Sequence, residues 1–97
     1  MIRHVALFRL TQDAPADTRE RLEEALFQLA QTIDAIAQYD FGADLGLREG
    51  NFDFGVVADF ENSGDFKIYA EHPNHQAFIQ EVLTPVLAER VSIQFEL

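Results

Sequence analysis

The sequence predicts one α+β domain in which helices cover one face of a four-stranded antiparallel sheet, and three observations lead to this fold class. Alternating apolar residues indicate strands at both ends of the chain and in its middle. Segments with helical periodicity lie between these strands, and the two longer ones begin at a proline. A chain of 97 residues, of which 47% are hydrophobic, can build one core and is too short for two.

The first half of the chain predicts a strand, a helix and a second strand. Residues 2–10 are apolar and β-branched on both alternating rows, which is typical of a strand with two apolar faces. A helix is predicted over residues 15–31, because it opens with a proline and places Asp17 and Glu20 near its positive end. The apolar residues that repeat at helical spacing are Leu22, Ala25, Leu26, Leu29 and Ile33. The second strand is predicted over residues 36–44.

The turn and the strand that follow have the clearest pattern in the chain. Residues 46–51 contain two glycines and an asparagine, which supply the positive φ angles of a chain reversal. One face of the next strand carries Phe52, Phe54, Val56, Ala58 and Phe60. On the other face Asp59 and Glu61 are expected to be solvated. A row with three phenylalanines requires a cover, so this strand is expected to face the helices or a partner.

Two helical segments and a last strand complete the chain. Asn62 is expected to cap a short helix that ends near Glu71, and Pro73 to begin the next helix. The buried stripe of that helix is predicted to be Phe78, Ile79, Val82, Leu83, Val86 and Leu87. Pro85 is expected to kink the helix or end it early. Alternation over residues 91–97 predicts the final strand.

The element order β-α-β-β-α-α-β resembles the ferredoxin-like plan, a four-stranded antiparallel sheet with helices on one face. The helices are enough for one face only. The other face is expected to expose an apolar patch formed by Phe8, Phe52, Phe54 and Phe60 or by their opposite-face counterparts. A second copy of the chain is the expected cover, so we predict a homodimer whose sheets pack face to face and whose edges close into a joint barrel.

Composition excludes several classes of function. Seventeen acidic and seven basic residues give a formal charge of −10, which disfavours nucleic acids and anionic membrane surfaces as partners. No cysteine is present, so disulfides, thiolate metal sites and thiol nucleophiles are excluded. Arg9 interrupts the apolar run near the N-terminus, and no stretch approaches the roughly eighteen apolar residues of a membrane helix. We therefore expect a soluble, cytoplasmic protein.

Candidate chemistry is concentrated in residues 69–75, which contain two of the three histidines and one of the two tyrosines. Pro73 at the first helical position makes His72 the expected N-cap and His75 the third residue of the helix. There the helix dipole and the unpaired backbone N–H groups oppose protonation of His75. A neutral histidine can act as a base, and Tyr69 could donate a hydrogen bond to a developing enolate.

Four segments carry a resemblance to a known family: residues 4–8, 58–61, 69–75 and 91–95. Together they resemble the stress-responsive dimeric α/β barrel family, called Dabb, over essentially the whole chain. The resemblance implies a homodimer of ferredoxin-like subunits, each with a pocket between the sheet and the helices. By similarity to a plant polyketide cyclase of this family, it also implies that His75 is the acid/base histidine, Tyr69 its assisting tyrosine and His4 a pocket histidine.

The chain departs from the family pattern at two places. Leu26 and Phe27 stand in the region where the cyclase has a further pocket tyrosine, which argues against the same substrate. The segment 33–36 lacks the Pro-Gly turn that commonly follows the first helix of the family. Local pairing of the second strand is therefore expected to differ.

Each candidate site residue also has a structural interpretation. The candidate catalytic residues are His75, Tyr69 and His4, and the candidate ligand-binding residues are His72, Phe8 and Phe54. The histidines and the tyrosine could instead be interior groups whose polar atoms are satisfied by hydrogen bonds. Phe8 and Phe54 could belong to the core of a dimer, and His72 could only order the helix start. Since one histidine pair at a spacing of three is a weak metal signal, neither a metal site nor a cofactor is predicted.

Three functions remain open at this point. The first is binding of a small hydrophobic or aromatic compound without turnover. The second is cofactor-independent cyclisation or isomerisation of a small carbonyl or polyketide-like compound by a His/Tyr acid-base pair. The third is a non-catalytic, stress-associated role of the dimer. Cofactor-free monooxygenases of a related barrel family are an enzymatic alternative, but the chain has no tryptophan and no motif assignable to oxygen chemistry.

Overall fold

The strands and helices follow one another in the order that the sequence predicts, and the four strands form one antiparallel sheet. The computed structural model describes residues 1–97. The elements are β1 (Ile2–Leu10), α1 (Thr18–Thr32), β2 (Gln38–Ala43), β3 (Phe54–Phe60), α2 (Ser63–Glu71), α3 (Pro73–Ala77) and β4 (Leu87–Glu96). The spatial order is β2-β3-β1-β4, so β1 and β3 are the central strands. The predicted ferredoxin-like order and the antiparallel sheet are confirmed.

The core lies between the helices and one face of the sheet. On that face Ala6 of β1 pairs with Val56 of β3, and His4 pairs with Ala58. The predicted apolar row is buried from Phe54 to Phe60. The α1 side chains that pack against the sheet are Leu22, Leu26 and Leu29, all buried. Removal of this apolar surface from water is the main stabilising contribution to the fold.

The loop between β2 and β3 has the predicted turn chemistry. Gly46 and Gly50 have φ angles of 74° and 83°, a region that side chains with a Cβ atom disfavour. Phe52, which the alternation placed in the buried row, lies in this loop and not in β3. The guanidinium of Arg9 stacks on Phe52 at 4.2 Å from the ring centroid. The buried row therefore has two phenylalanines, not three.

The first helix and the second strand are shorter at their starts than predicted. The chain around Pro15 forms a turn, in which the Thr18 hydroxyl donates to the Pro15 carbonyl at 2.6 Å, and α1 begins at Thr18. After α1 another turn is closed by the Ile36 N–H, which donates to the Ile33 carbonyl at 3.2 Å. This turn delays β2 to Gln38. Both elements start later than predicted because a hydrogen-bonded turn comes before the first residue of the helix and of the strand.

The predicted caps of α2 and α3 are confirmed. The Asn62 side chain accepts from the Asp65 N–H at 2.9 Å, and the His72 Nδ1 accepts from the Asn74 N–H at 3.1 Å, with Pro73 at the first helical position. After α3 the chain continues with π-helical hydrogen bonding over Phe78–Leu83 and then forms a 3-10 turn over Thr84–Val86. Pro85 lies in that turn and ends the helix, as predicted.

The last strand begins earlier than its alternation suggests. Leu87, predicted as the last apolar residue of the helical stripe, is the first residue of β4 and pairs with Leu10. Since Pro85 stops the helix, the chain enters the sheet within two residues. The additional strand residues place Arg90 beside Phe8 on the helix-covered face.

The opposite face of the sheet has no helical cover and exposes apolar side chains. Phe8, Phe54 and Phe60 are buried under the helices, so the exposed patch consists of their opposite-face counterparts. We call it the open face, and its exposed apolar residues are Leu7, Val91, Ile93 and Phe95, with exposed fractions between 37% and 59%. The central strands β1 and β3 carry a partly buried ion pair on this face. Asp59, expected to be solvated, is 3% exposed because Arg3 donates to both its oxygens at 2.8 and 2.9 Å.

None of the helices combines the length and the apolar character needed to cross a bilayer. The longest is α1, with 15 residues, and its outer surface carries charged side chains.

Candidate functional site

A cavity of about 410 Å³ lies between the sheet and the helices, on the side of β1 that faces α2 and α3. Most of its wall is apolar. The apolar lining residues are Ala6, Phe8, Leu26, Val56, Phe66, Ala70, Phe78, Ile79 and Leu83. The polar side chains in the wall are His4, Tyr69, His75, Gln76, Arg90, Ser92 and Gln94. The cavity therefore brings together the three candidate catalytic residues and Phe8.

His75 enters the cavity from the first turn of α3, and one of its ring nitrogens is held by the backbone. The Nδ1 atom lies 3.2 Å from the carbonyl oxygen of Ala70. A carbonyl oxygen only accepts, so Nδ1 carries the proton in the neutral ring and Nε2 keeps a free lone pair. Burial lowers the pKa of His75, the Ala70 contact opposes this shift, and the positive charges of Arg90 and His72 lower the pKa further. His75 is therefore a neutral base at pH 7.

His4 lies on β1 and is held in the opposite tautomer. The side-chain amide nitrogen of Gln94 lies 2.8 Å from His4 Nδ1. An amide nitrogen only donates, so Nδ1 accepts and Nε2 carries the proton. Burial lowers the pKa of His4, and the neighbouring His75 and the positive charge of Arg90 lower it further. His4 therefore contributes an N–H donor where His75 contributes a lone pair.

Tyr69 lies between the two histidines. Its ring centroid is 4.1 Å from that of His75 and 6.2 Å from that of His4. The Tyr69 hydroxyl is 2.9 Å from the hydroxyl of Tyr39 on β2, so the two phenols share one hydrogen bond. Burial raises the pKa of both tyrosines above the ordinary value of 10.0, although the Tyr39 hydrogen bond partly opposes the shift of Tyr69, and both stay protonated. Tyr69 thus contacts His75 through its ring face, and its hydroxyl is bonded to Tyr39.

Two of the candidate ligand-binding residues lie outside the cavity wall. His72 caps α3, and its Nδ1 atom is occupied by the backbone N–H of Asn74. Phe54 is buried in the core, with its ring stacked on Phe8 at 6.4 Å between centroids and 12° between planes. Phe8 alone of the three lines the cavity.

The pair His72 and His75 does not converge on one point. Each ring uses its Nδ1 atom for a different backbone group. No group of three histidine, aspartate or glutamate side chains is close enough to hold a metal ion.

Several site residues were missed by the sequence reasoning. Gln76, Arg90, Ser92 and Gln94 line the cavity, and Tyr39 shares a hydrogen bond with the Tyr69 hydroxyl. Alternation along β4 does place Arg90, Ser92 and Gln94 on one face. Which face that is depends on the register with β1, where Gln94 lies opposite His4, and the sequence does not specify this register.

Comparison with known proteins identifies the family. The sequence model of the Stress responsive A/B Barrel Domain matches residues 2–97. This chain belongs to that family. The predicted resemblance is thereby confirmed, and the stress responsive A/B barrel domain spans the whole fold described above. The matched range includes β1 with His4, α3 with His75 and the complete β4 wall of the cavity.

The barrel domain is also similar to individual proteins from several organisms. A structure described as a dimeric ferredoxin-like protein of unknown function from Thermobifida fusca is 45% identical, with a TM-score of 0.91, covering 99% of this chain and 90% of that one. A dimeric protein of unknown function with a ferredoxin-like fold from Bacteroides fragilis is 26% identical, with a TM-score of 0.85, covering 99% and 95%. An uncharacterized protein of Streptomyces coelicolor is 30% identical over 94 residues, covering 92% of this chain and 97% of that protein. The ferredoxin-like fold is confirmed.

Proposed function

We propose that this barrel domain is a homodimer in which each subunit binds a small, largely apolar compound in the cavity at His4, Tyr69 and His75. The observation that carries the proposal is the cavity itself. Its volume of about 410 Å³ lies within the roughly 300–1,000 Å³ of small-molecule sites. Its wall combines apolar residues with seven polar side chains that can fix the orientation of a ligand.

The homodimer is supported by the open face. Leu7, Val91, Ile93 and Phe95 form a contiguous apolar surface of a kind that soluble monomers rarely leave in water. The relatives from Thermobifida fusca and Bacteroides fragilis, at 45% and 26% identity, are described as dimeric. Two sheets packed through their open faces would bury this surface symmetrically and leave each cavity on the outer, helical side.

The two histidine tautomers favour a second candidate function, proton transfer at carbon. His75 Nε2 has a lone pair, and His4 Nε2 has a proton to share. A carbonyl compound between them could lose an α-proton to His75 while its oxygen accepts a hydrogen bond from His4 as the enolate forms. Return of the proton from His75 to another carbon is an isomerisation. Attack of the enolate carbon on a second carbonyl of the same molecule is a cyclisation, in which the C=O π bond opens and the new alkoxide takes the proton back from His75. Neither reaction needs a cofactor.

Tyr69 has a different part in this scheme from the one that the sequence predicts. Its hydroxyl is bonded to Tyr39, whereas its ring packs on His75 at 4.1 Å. We assign it the positioning of the imidazole and the exclusion of water from it. The donor to the enolate oxygen is then His4.

Deuterium exchange tests the binding and the proton-transfer functions separately. Benzoylacetone, an aromatic diketone with an acidic carbon, is incubated with the protein in deuterated water, and the loss of its α-proton signal is followed by NMR. We expect protein-dependent exchange that is lost in His75→Gln and retained in His72→Asn, a matched control that keeps a helix-capping side chain. Chemical shift changes at Leu26 and Leu83 without exchange would leave a binding protein and refute catalysis on this compound class. The absence of both effects would refute the proposed site for such compounds.

A further inference from the structure

All three β4 side chains in the cavity wall are polar, whereas the rest of the wall is mostly apolar. Arg90 pairs with Phe8, Ser92 with Ala6 and Gln94 with His4 in the β1–β4 register. The three β4 side chains therefore form a polar row along one side of an apolar chamber. A row of this kind must be matched by water or by polar groups of a ligand.

Arg90 is the charged member of this row, and it has no acidic partner. The five salt bridges of the chain use Arg3, Arg9, Arg19, Lys67 and the N-terminus. Although the chain has seventeen acidic residues, none of them lines the cavity. Arg21 and Arg48 also lack a salt bridge, but they lie outside the cavity. The cavity is thus a positively charged recess in a strongly acidic protein.

The charge of Arg90 lies in the wall of the site, although the residue is exposed to solvent. It acts on both histidines, since its positive charge lowers the pKa of His4 and that of His75. No carboxylate acts on either ring in the opposite direction. An anion in the cavity would therefore meet one guanidinium and no repelling acidic group.

We infer that Arg90 binds the carboxylate of the ligand, so that the compounds taken by this cavity carry a carboxylate at one end and an apolar or aromatic body. This inference rests on the proposed function and specifies the ligand class of the same site. A planar guanidinium matches a carboxylate in a bidentate contact. The Ser92 hydroxyl is the next donor along β4, whereas the amide of Gln94 is already used by His4.

A carboxylate fits this site better than a phosphate group does. Phosphate sites combine several cationic groups or a glycine-rich loop, and the cavity wall holds a single arginine and no glycine. The spacing along β4 also orients the ligand. Arg90 and Gln94 are four residues apart, which is about 13 Å along a strand. A carboxylate held by Arg90 therefore extends the ligand's body along the chamber toward the two histidines.

A matched pair of ligands tests the inference. Hydrocinnamate and hydrocinnamamide have the same aromatic body, and only the first carries a charge. Titrations followed by NMR at the methyl groups of Leu26, Ile79 and Leu83 give the two dissociation constants. We expect the carboxylate to bind about tenfold more tightly than the amide, as for one charge-assisted contact near solvent. The preference should weaken as salt is added.

Two arginine variants complete the test. Arg90→Gln is expected to weaken only the binding of hydrocinnamate and so to abolish the preference for it over the amide. Arg48→Gln removes the same charge from an unpaired arginine outside the cavity and should preserve the preference. Equal affinity of the two ligands for the unmodified protein would overturn the inference and leave the binding function standing. An unchanged preference in Arg90→Gln would overturn it as well. If neither ligand bound, the proposed function would fail and this inference with it.

Discussion

The open face provides the most quantitative prediction, and Ile93 is its most exposed apolar residue. Ile93 is 59% exposed in a single chain. Ile93→Ala removes three carbon groups, each worth about 0.8 kcal/mol when buried. With 59% of the residue left to bury, we expect a loss of about 1.4 kcal/mol per subunit. Since a twofold interface contains both copies, the dimer should lose about 3 kcal/mol, which weakens its dissociation constant about 100-fold.

Sedimentation equilibrium over a dilution series measures this constant directly. Phe27→Ala is the matched control, because Phe27 is a similarly exposed apolar residue, at 53%, on α1 in the helical layer. It should leave the dissociation constant unchanged. If Ile93→Ala and Phe27→Ala formed dimers as stable as that of the unmodified protein, the dimer would use another surface. A solitary subunit at micromolar concentration would refute the face-to-face dimer altogether.

Two further outcomes are expected from buried polar groups. Tyr39→Phe leaves the Tyr69 hydroxyl without its partner and should lower the free energy of unfolding by about 1–3 kcal/mol. Adding Tyr69→Phe should recover part of this loss. If denaturant unfolding showed strictly additive effects of the two substitutions, the shared hydrogen bond would be refuted. The folded-state pKa values of His4 and His75 lie below their ordinary 6.5. The unfolded chain therefore binds more protons than the folded chain as the pH falls below about 6.5. We expect the free energy of unfolding to be highest above about pH 6.5 and to fall as the pH drops toward the folded-state pKa values. His75→Gln should flatten this decline, and an unchanged slope would contradict the buried neutral imidazole.

The sequence contains most of the fold and part of the site. Strands with period-two alternation, such as β3, and caps with a specific chemistry, such as Asn62 and His72 before Pro73, are local features that a single sequence displays. Their positions agree with the structure to within a few residues. Pro15 was misleading, because its turn precedes the helix instead of starting it.

The hydrogen-bond partners of the site residues could not be predicted, because they depend on pairing between residues that are distant in the sequence. His4 and Gln94 meet only because β1 and β4 are in register, and Tyr39 meets Tyr69 across a strand and a helix. The partner atom of each ring decides its tautomer. The sequence therefore identified His75, Tyr69 and His4 as candidates, whereas the distinction between base and donor required the fold.

The most direct test of the site is the protonation state of the two histidines. Long-range proton–nitrogen correlation spectra at pH 7 distinguish the two neutral tautomers and the imidazolium ion. We expect His75 with its proton on Nδ1 and His4 with its proton on Nε2, both neutral. Two charged rings, or the same tautomer in both, would contradict the pairing of a base with a donor in this cavity.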